Sequence, residues 1–74
     1  MYEIKAYYDG DFRGLSASET ADNRDQMIEI VHDLASRGGF FCVENTETGE
    51  EIRFSADTYE QEYYYEGEVD LPIA

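Results

Sequence analysis

Two stretches of the chain alternate apolar and polar side chains with the period of a strand, and one repeats with the period of a helix. From residue 2 to residue 8, Tyr2, Ile4, Ala6 and Tyr8 point one way while Glu3, Lys5 and Tyr7 point the other, the pattern of a half-buried strand. Asp9-Gly10-Asp11 then supplies turn chemistry, and Phe12 to Ala17 returns as a second strand weakened by Gly14, so residues 2–17 read as a β-hairpin. Met27, Ile28, Ile30, Val31, Leu34 and Ala35 fall within an arc of about 160° at helical spacing, which predicts an amphipathic helix. Thr20, Asp22 and Asn23 offer N-cap oxygens, Asn23 with Gln26 has capping-box spacing, and Gly38-Gly39 ends the helix with Arg37 in its last turn. Phe40 to Glu44 is a compact apolar strand, and Asn45 to Gly49 a turn. Glu50 to Ala56 alternates again, with Ile52, Phe54 and Ala56 on one face. The expected fold is α+β: a small antiparallel sheet in the order β-β-α-β-β, with one amphipathic helix packed on one face. Residues 57–70 hold a further edge strand around Tyr63 to Tyr65 or stay mobile.

Length and composition narrow this. The 74 residues make one domain with a single, marginal core and no dividing linker. Hydrophobic residues are 42% of the chain, but seven of them are tyrosines, which cover surface as readily as they fill cores. No apolar run is long enough for a bilayer. The N-terminus lacks the basic and apolar regions of a signal peptide. A lone cysteine, Cys42, excludes an internal disulfide framework, so a reducing cytoplasm is the expected compartment.

Charge changes the picture more than length does. Eighteen acids against five bases give a formal charge of −13, which argues against direct binding to nucleic acid or to an anionic membrane. On the helix, Asp22, Asp25, Glu29 and Asp33 lie within about 80° of one another, opposite the apolar arc. No lysine or arginine is expected to interleave with this ladder, although like-charged neighbours cost about 0.2–0.5 kcal/mol each. The tail, 57–74, carries Glu60 and Glu62, then Glu66, Glu68 and Asp70, at every second position. In an extended chain those carboxylates would stand about 6.6 Å apart on one side, comparable with successive phosphates on a nucleic-acid strand. Tyr63, Tyr64 and Tyr65 interleave with them, offering flat apolar area beside anions.

Enzymatic chemistry finds no foothold. Carboxylate pairs in so acidic a chain have no specificity, and no serine, cysteine or histidine stands in a catalytic pattern. His32 reads as an exposed residue near a helix end, and Cys42 as a small core residue. Asp9-Gly10-Asp11 lacks the remaining ligands of a calcium loop. No metal, cofactor or catalytic residue is expected.

In its helix ladder and its Tyr/Glu tail the chain resembles the small acidic anti-CRISPR and anti-restriction inhibitors encoded by phages and mobile elements. The resemblance lies in size and charge layout, not in a sequence motif. It implies a non-catalytic DNA mimic that blocks the basic nucleic-acid-binding site of a defence or DNA-processing complex, in the host cytoplasm if phage-encoded. The ladder residues would then meet lysines and arginines, and Tyr63 to Tyr65 would anchor the contact. Three other readings stand beside it: an acidic protein–protein interaction module; a halophile-adapted domain, which one lysine against four arginines would suit; and a domain whose Asp and Glu side chains collect divalent cations weakly. The sequence sets neither the oligomeric state nor the target.

Overall fold

The computed structural model describes residues 1–7 and 17–74. Strands β1 (Tyr2–Tyr7), β2 (Ala17–Ala21), β3 (Phe40–Asn45) and β4 (Glu51–Ser55) form an antiparallel sheet in the order β2-β1-β3-β4. Helix α1 (Arg24–Ala35) joins the edge strand β2 to β3 and packs on β1 and β2. This is the α+β arrangement the periodicity predicts.

Alternation in β1 is translated directly into burial: Tyr2, Ile4 and Ala6 are buried, and Glu3, Lys5 and Tyr7 half-buried on the other face. The expected turn at Asp9-Gly10-Asp11, Tyr8 and residues 12–16 lie outside the described residues. Among the described residues, the strand that pairs with β1 runs past the expected end at Ala17: Ala17–Ala21 lies along it, with Ala21 opposite Tyr2 and Ala17 opposite Ala6. Small residues suit this position because α1 lies over β2, and Ala21 is buried there. So small an apolar signal, Ala17-Ser18-Glu19-Thr20-Ala21, leaves little periodicity to read.

The Asn23 side chain caps α1 as its spacing predicts, accepting from the Gln26 N–H at 2.8 Å. The Gln26 side chain reaches back one residue further than a capping box, accepting from the Asp22 N–H at 2.8 Å. Gly38, at φ 80°, turns the chain away from the helix. Between β3 and the edge strand β4, Phe41 stands opposite Phe54 and Val43 opposite Ile52.

The tail departs most from expectation. Strand β4 stops at Ser55, whose hydroxyl accepts from the Thr58 N–H at 3.2 Å and starts a short helix, α2 (Ala56–Thr58). This widens into a π-helical turn over Tyr59–Tyr63, closed by the Tyr64 N–H reaching back to the Tyr59 carbonyl. Two-residue strands β5 (Tyr64–Tyr65) and β6 (Glu68–Val69) then pair with each other, not with the main sheet. Glu66 and Gly67, at φ 50° and 86°, supply the two positive dihedrals of a type I′ hairpin turn. The extended run of alternating carboxylates is therefore absent. Burial of Tyr59, 2% exposed, outweighs the alternation, because a helical turn sets that ring on the core.

The core lies between the sheet, α1 and this tail. Phe54 joins three rings: Phe41 at 5.6 Å, Tyr59 at 6.4 Å and Tyr63, edge-on, at 5.5 Å. Leu71 and Ile73 complete the core. Arg24 holds the chain there, its guanidinium donating to the carbonyls of Leu71, at 2.8 Å, and Ile73. The Tyr2 hydroxyl and the Asn45 amide both donate to the Ala74 carbonyl, at 2.7 and 2.8 Å. Cys42 is buried, but it is not part of this core. It sits on the opposite sheet face between Lys5 and Arg53 in the cross-strand register, because β3 carries apolar residues on both its faces.

Candidate functional site

Helix α1 sets Asp25, Glu29 and Asp33 on one exposed face, four residues and so about 6 Å of rise apart. Asp22 is exposed but precedes the cap and lies outside the helix. Asp25 gains from the positive helix start. Asp33, near the opposite end, is compensated: Arg37 approaches it at 3.7 Å, one turn on. The ladder is thus not wholly unpaired, because the arginine that ends the helix folds back on its last acid.

Tail residues distribute differently. Glu60 and Glu62 are exposed on the π-helical turn, Glu66 lies in the hairpin turn, and Glu68 and Asp70 are exposed beyond it. Tyr63 is half-buried with its ring edge on Phe54, so it supports the fold and does not stand free as an anchor. Tyr64 is 36% and Tyr65 74% exposed. Strand alternation sends these two side chains to opposite faces of the hairpin.

Only part of the expected site converges, and it does so around a histidine that sequence reasoning set aside. The His32 ring stacks on Tyr64, with centroids 5.3 Å apart and planes 26° apart. His32 Nδ1 shares a hydrogen bond of 2.9 Å with the hydroxyl of the buried Tyr59. Burial pushes the Tyr59 hydroxyl pKa up, with smaller contributions from Tyr64 and Glu60. A concavity of about 330 Å³ opens on one side of the stack, lined by Ala35, Ser36, Tyr59 and Glu60 as well as the stacked pair. Another, of about 230 Å³, has Ile28, Glu29, Gly67 and Val69 against the same two rings. Glu29 from the ladder and Glu60 from the tail therefore flank one aromatic ridge. His32 lies four residues before Ser36 on the helix side facing the tail, a signal visible only once the tail is known to fold back.

The open face of the sheet handles charge differently. Lys5 meets Glu3 at 3.3 Å and Arg53 meets Glu51 at 3.0 Å. Burial raises the pKa of the Cys42 thiol, against the opposing influence of Arg53, so this cysteine is held in its unreactive form. Among the described residues, no three of His, Cys, Asp and Glu come together to hold a metal ion, and no helix is long and apolar enough to cross a membrane.

No protein-family model matches the chain, and no curated protein or solved structure matches it either.

Proposed function

We propose that this protein is a non-catalytic inhibitor that presents a DNA-like anionic surface to the basic nucleic-acid-binding site of another protein or complex. One observation carries the reading: the exposed acids Asp25 and Glu29 on α1 and Glu60 on the tail have no ion-pair partner among the described residues, and Glu29 and Glu60 flank one aromatic ridge. A rigid helix holds the first two at phosphate-like spacing, so the arrangement is preorganised and loses little entropy on binding. Association would be fast through electrostatic steering and would weaken as salt rises.

Exposed Tyr64 and Tyr65 favour a second reading, an acidic interaction module that docks through its aromatics with little dependence on salt. The two separate in one experiment. Proteins captured from a host extract on the immobilised chain are challenged with duplex DNA and with rising salt. A mimic releases its partner to both, whereas an aromatic module releases it to neither. The charge-reversed D25K/E29K variant, which alters only exposed positions, should keep its far-UV spectrum and lose at least about tenfold in affinity, given coupling energies of about 1.5 kcal/mol or more for close interfacial charge pairs. Unchanged affinity in that variant would remove the helix from the interface.

A further inference from the structure

We propose that the groove between His32, Tyr59, Tyr64 and Glu60 receives an arginine side chain of the partner. This deepens the reading of a cationic partner and rests on it.

At about 330 Å³ the groove lies at the small end of ligand pockets, with room for one arginine side chain. Half of its lining residues are aromatic, with one carboxylate, Glu60, and no lysine or arginine among the described residues. Charge complementarity therefore selects a cation. Ring geometry then selects among cations. Tyr64 lies 5.3 Å from His32 and 6.1 Å from Tyr59, and His32 lies 6.0 Å from Tyr59. These rings already touch one another, so they cannot surround an ammonium as a cage does. They offer a wall, part of it the exposed Tyr64 ring. A planar, weakly hydrated guanidinium stacks on such a wall and still reaches a carboxylate with its N–H edge, whereas a strongly hydrated ammonium gains less.

The wall is also held in place. The hydrogen bond between His32 Nδ1 and the Tyr59 hydroxyl orients the imidazole, and Tyr59 is fixed by the core it helps to form. Tyr64 follows the π-helical turn directly, a backbone feature often found at functional sites. Glu60 lies inside that turn, so the same local geometry places the carboxylate and the ring on one groove.

N-acetyl-arginine methylamide, its lysine counterpart and its neutral citrulline counterpart are titrated into the ¹⁵N-labelled chain. The arginine probe should give saturable shifts centred on Ser36, Tyr59, Glu60 and Tyr64, binding at least about threefold more tightly than the lysine probe, and the citrulline probe should give none. Glu60→Gln, an exposed change that leaves the fold intact, should weaken the arginine probe, and Tyr64→Leu should abolish its advantage over lysine. Equal shifts from arginine and lysine centred on Asp25 and Glu29, or no saturable shift at all, would overturn the groove. Either result leaves the anionic-surface reading standing if the D25K/E29K variant still loses its partner. Loss of that reading would instead show as partner binding that the charge reversal does not touch.

Discussion

Replacing Arg24 by methionine should unfasten the chain's last residues from the core. The methionine keeps the apolar stem and removes the guanidinium, which donates to the carbonyls of Leu71 and Ile73. Hydrogen bonds to a charged group contribute about 1.5–3 kcal/mol each. Both lie only partly buried, so water re-solvates the freed carbonyls, and the net loss should be about 2–3 kcal/mol for the pair. Against a total stability of about 4–11 kcal/mol for 74 residues, that is a large share. If the chain also lifted away, the buried side chains of Leu71 and Ile73 would each lose about 1.5–3 kcal/mol more. Urea unfolding followed by far-UV circular dichroism measures the loss. For a slope near 1 kcal/mol per molar urea, the midpoint should fall by about 2–3 M. Arg24→Lys, which keeps the charge but not the fork, should fall between the two. An R24M midpoint within about 0.5 M of the parent would refute the clasp, since no compensation of that size is offered by Tyr2 and Asn45, which grip Ala74 and not the residues Arg24 holds.

Two further outcomes follow from single side chains. Because burial raises the Tyr59 pKa, the stability of its neutral form is fully present below the ordinary tyrosine value of 10.0 and is lost as pH rises through the folded value; thermal melts from pH 8 to 11 should show a decline that Tyr59→Phe flattens, and an identical decline in that variant would place its cause elsewhere. Asn23→Ala removes the acceptor of the Gln26 N–H and should cost about 1 kcal/mol in urea unfolding, with a loss below about 0.3 kcal/mol showing that the cap contributes nothing.

Elements with a strong apolar signal were legible in the sequence, and those built from weak signals were not. The α1 arc, the alternation in β1 and the compact β3 each bury side chains at their own period, so pattern and structure agree. Strand β2 escaped because two alanines carry its buried face, and Leu71 and Ile73 because two apolar residues beside a proline have no period at all. The tail misled for a physical reason. Alternation at Glu60, Glu62, Glu66, Glu68 and Asp70 is a pattern of acids, which repel one another and specify no packing, whereas Tyr59 specifies a core contact that only a helical turn can make. The candidate site was legible as a list of acids and tyrosines but not as a place. Its centre, His32, is one helical turn from Ile28 and Ser36, and nothing local marks it; the fold-back of the tail does.

Where the cations go sharpens the meaning of the charge. Four of the five bases lie in described residues, and each is committed within the molecule: Lys5 to Glu3, Arg53 to Glu51, Arg37 to Asp33, and Arg24 to backbone carbonyls. Three of these pairings neutralise acids on the open sheet face and at the end of α1. None lies at Asp25, Glu29 or Glu60. A domain acidic only for solubility would gain from spreading its few bases over its acids, since like charges on a small body repel one another. Here the four described bases serve the sheet, the helix end and the clasp, and none of them lines the concavities beside the His32–Tyr64 ridge. A salty cytoplasm accounts for a high total of acids but not for this division. The division is what a cationic partner would require, and the salt-dependent release of that partner by duplex DNA is the observation that decides between them.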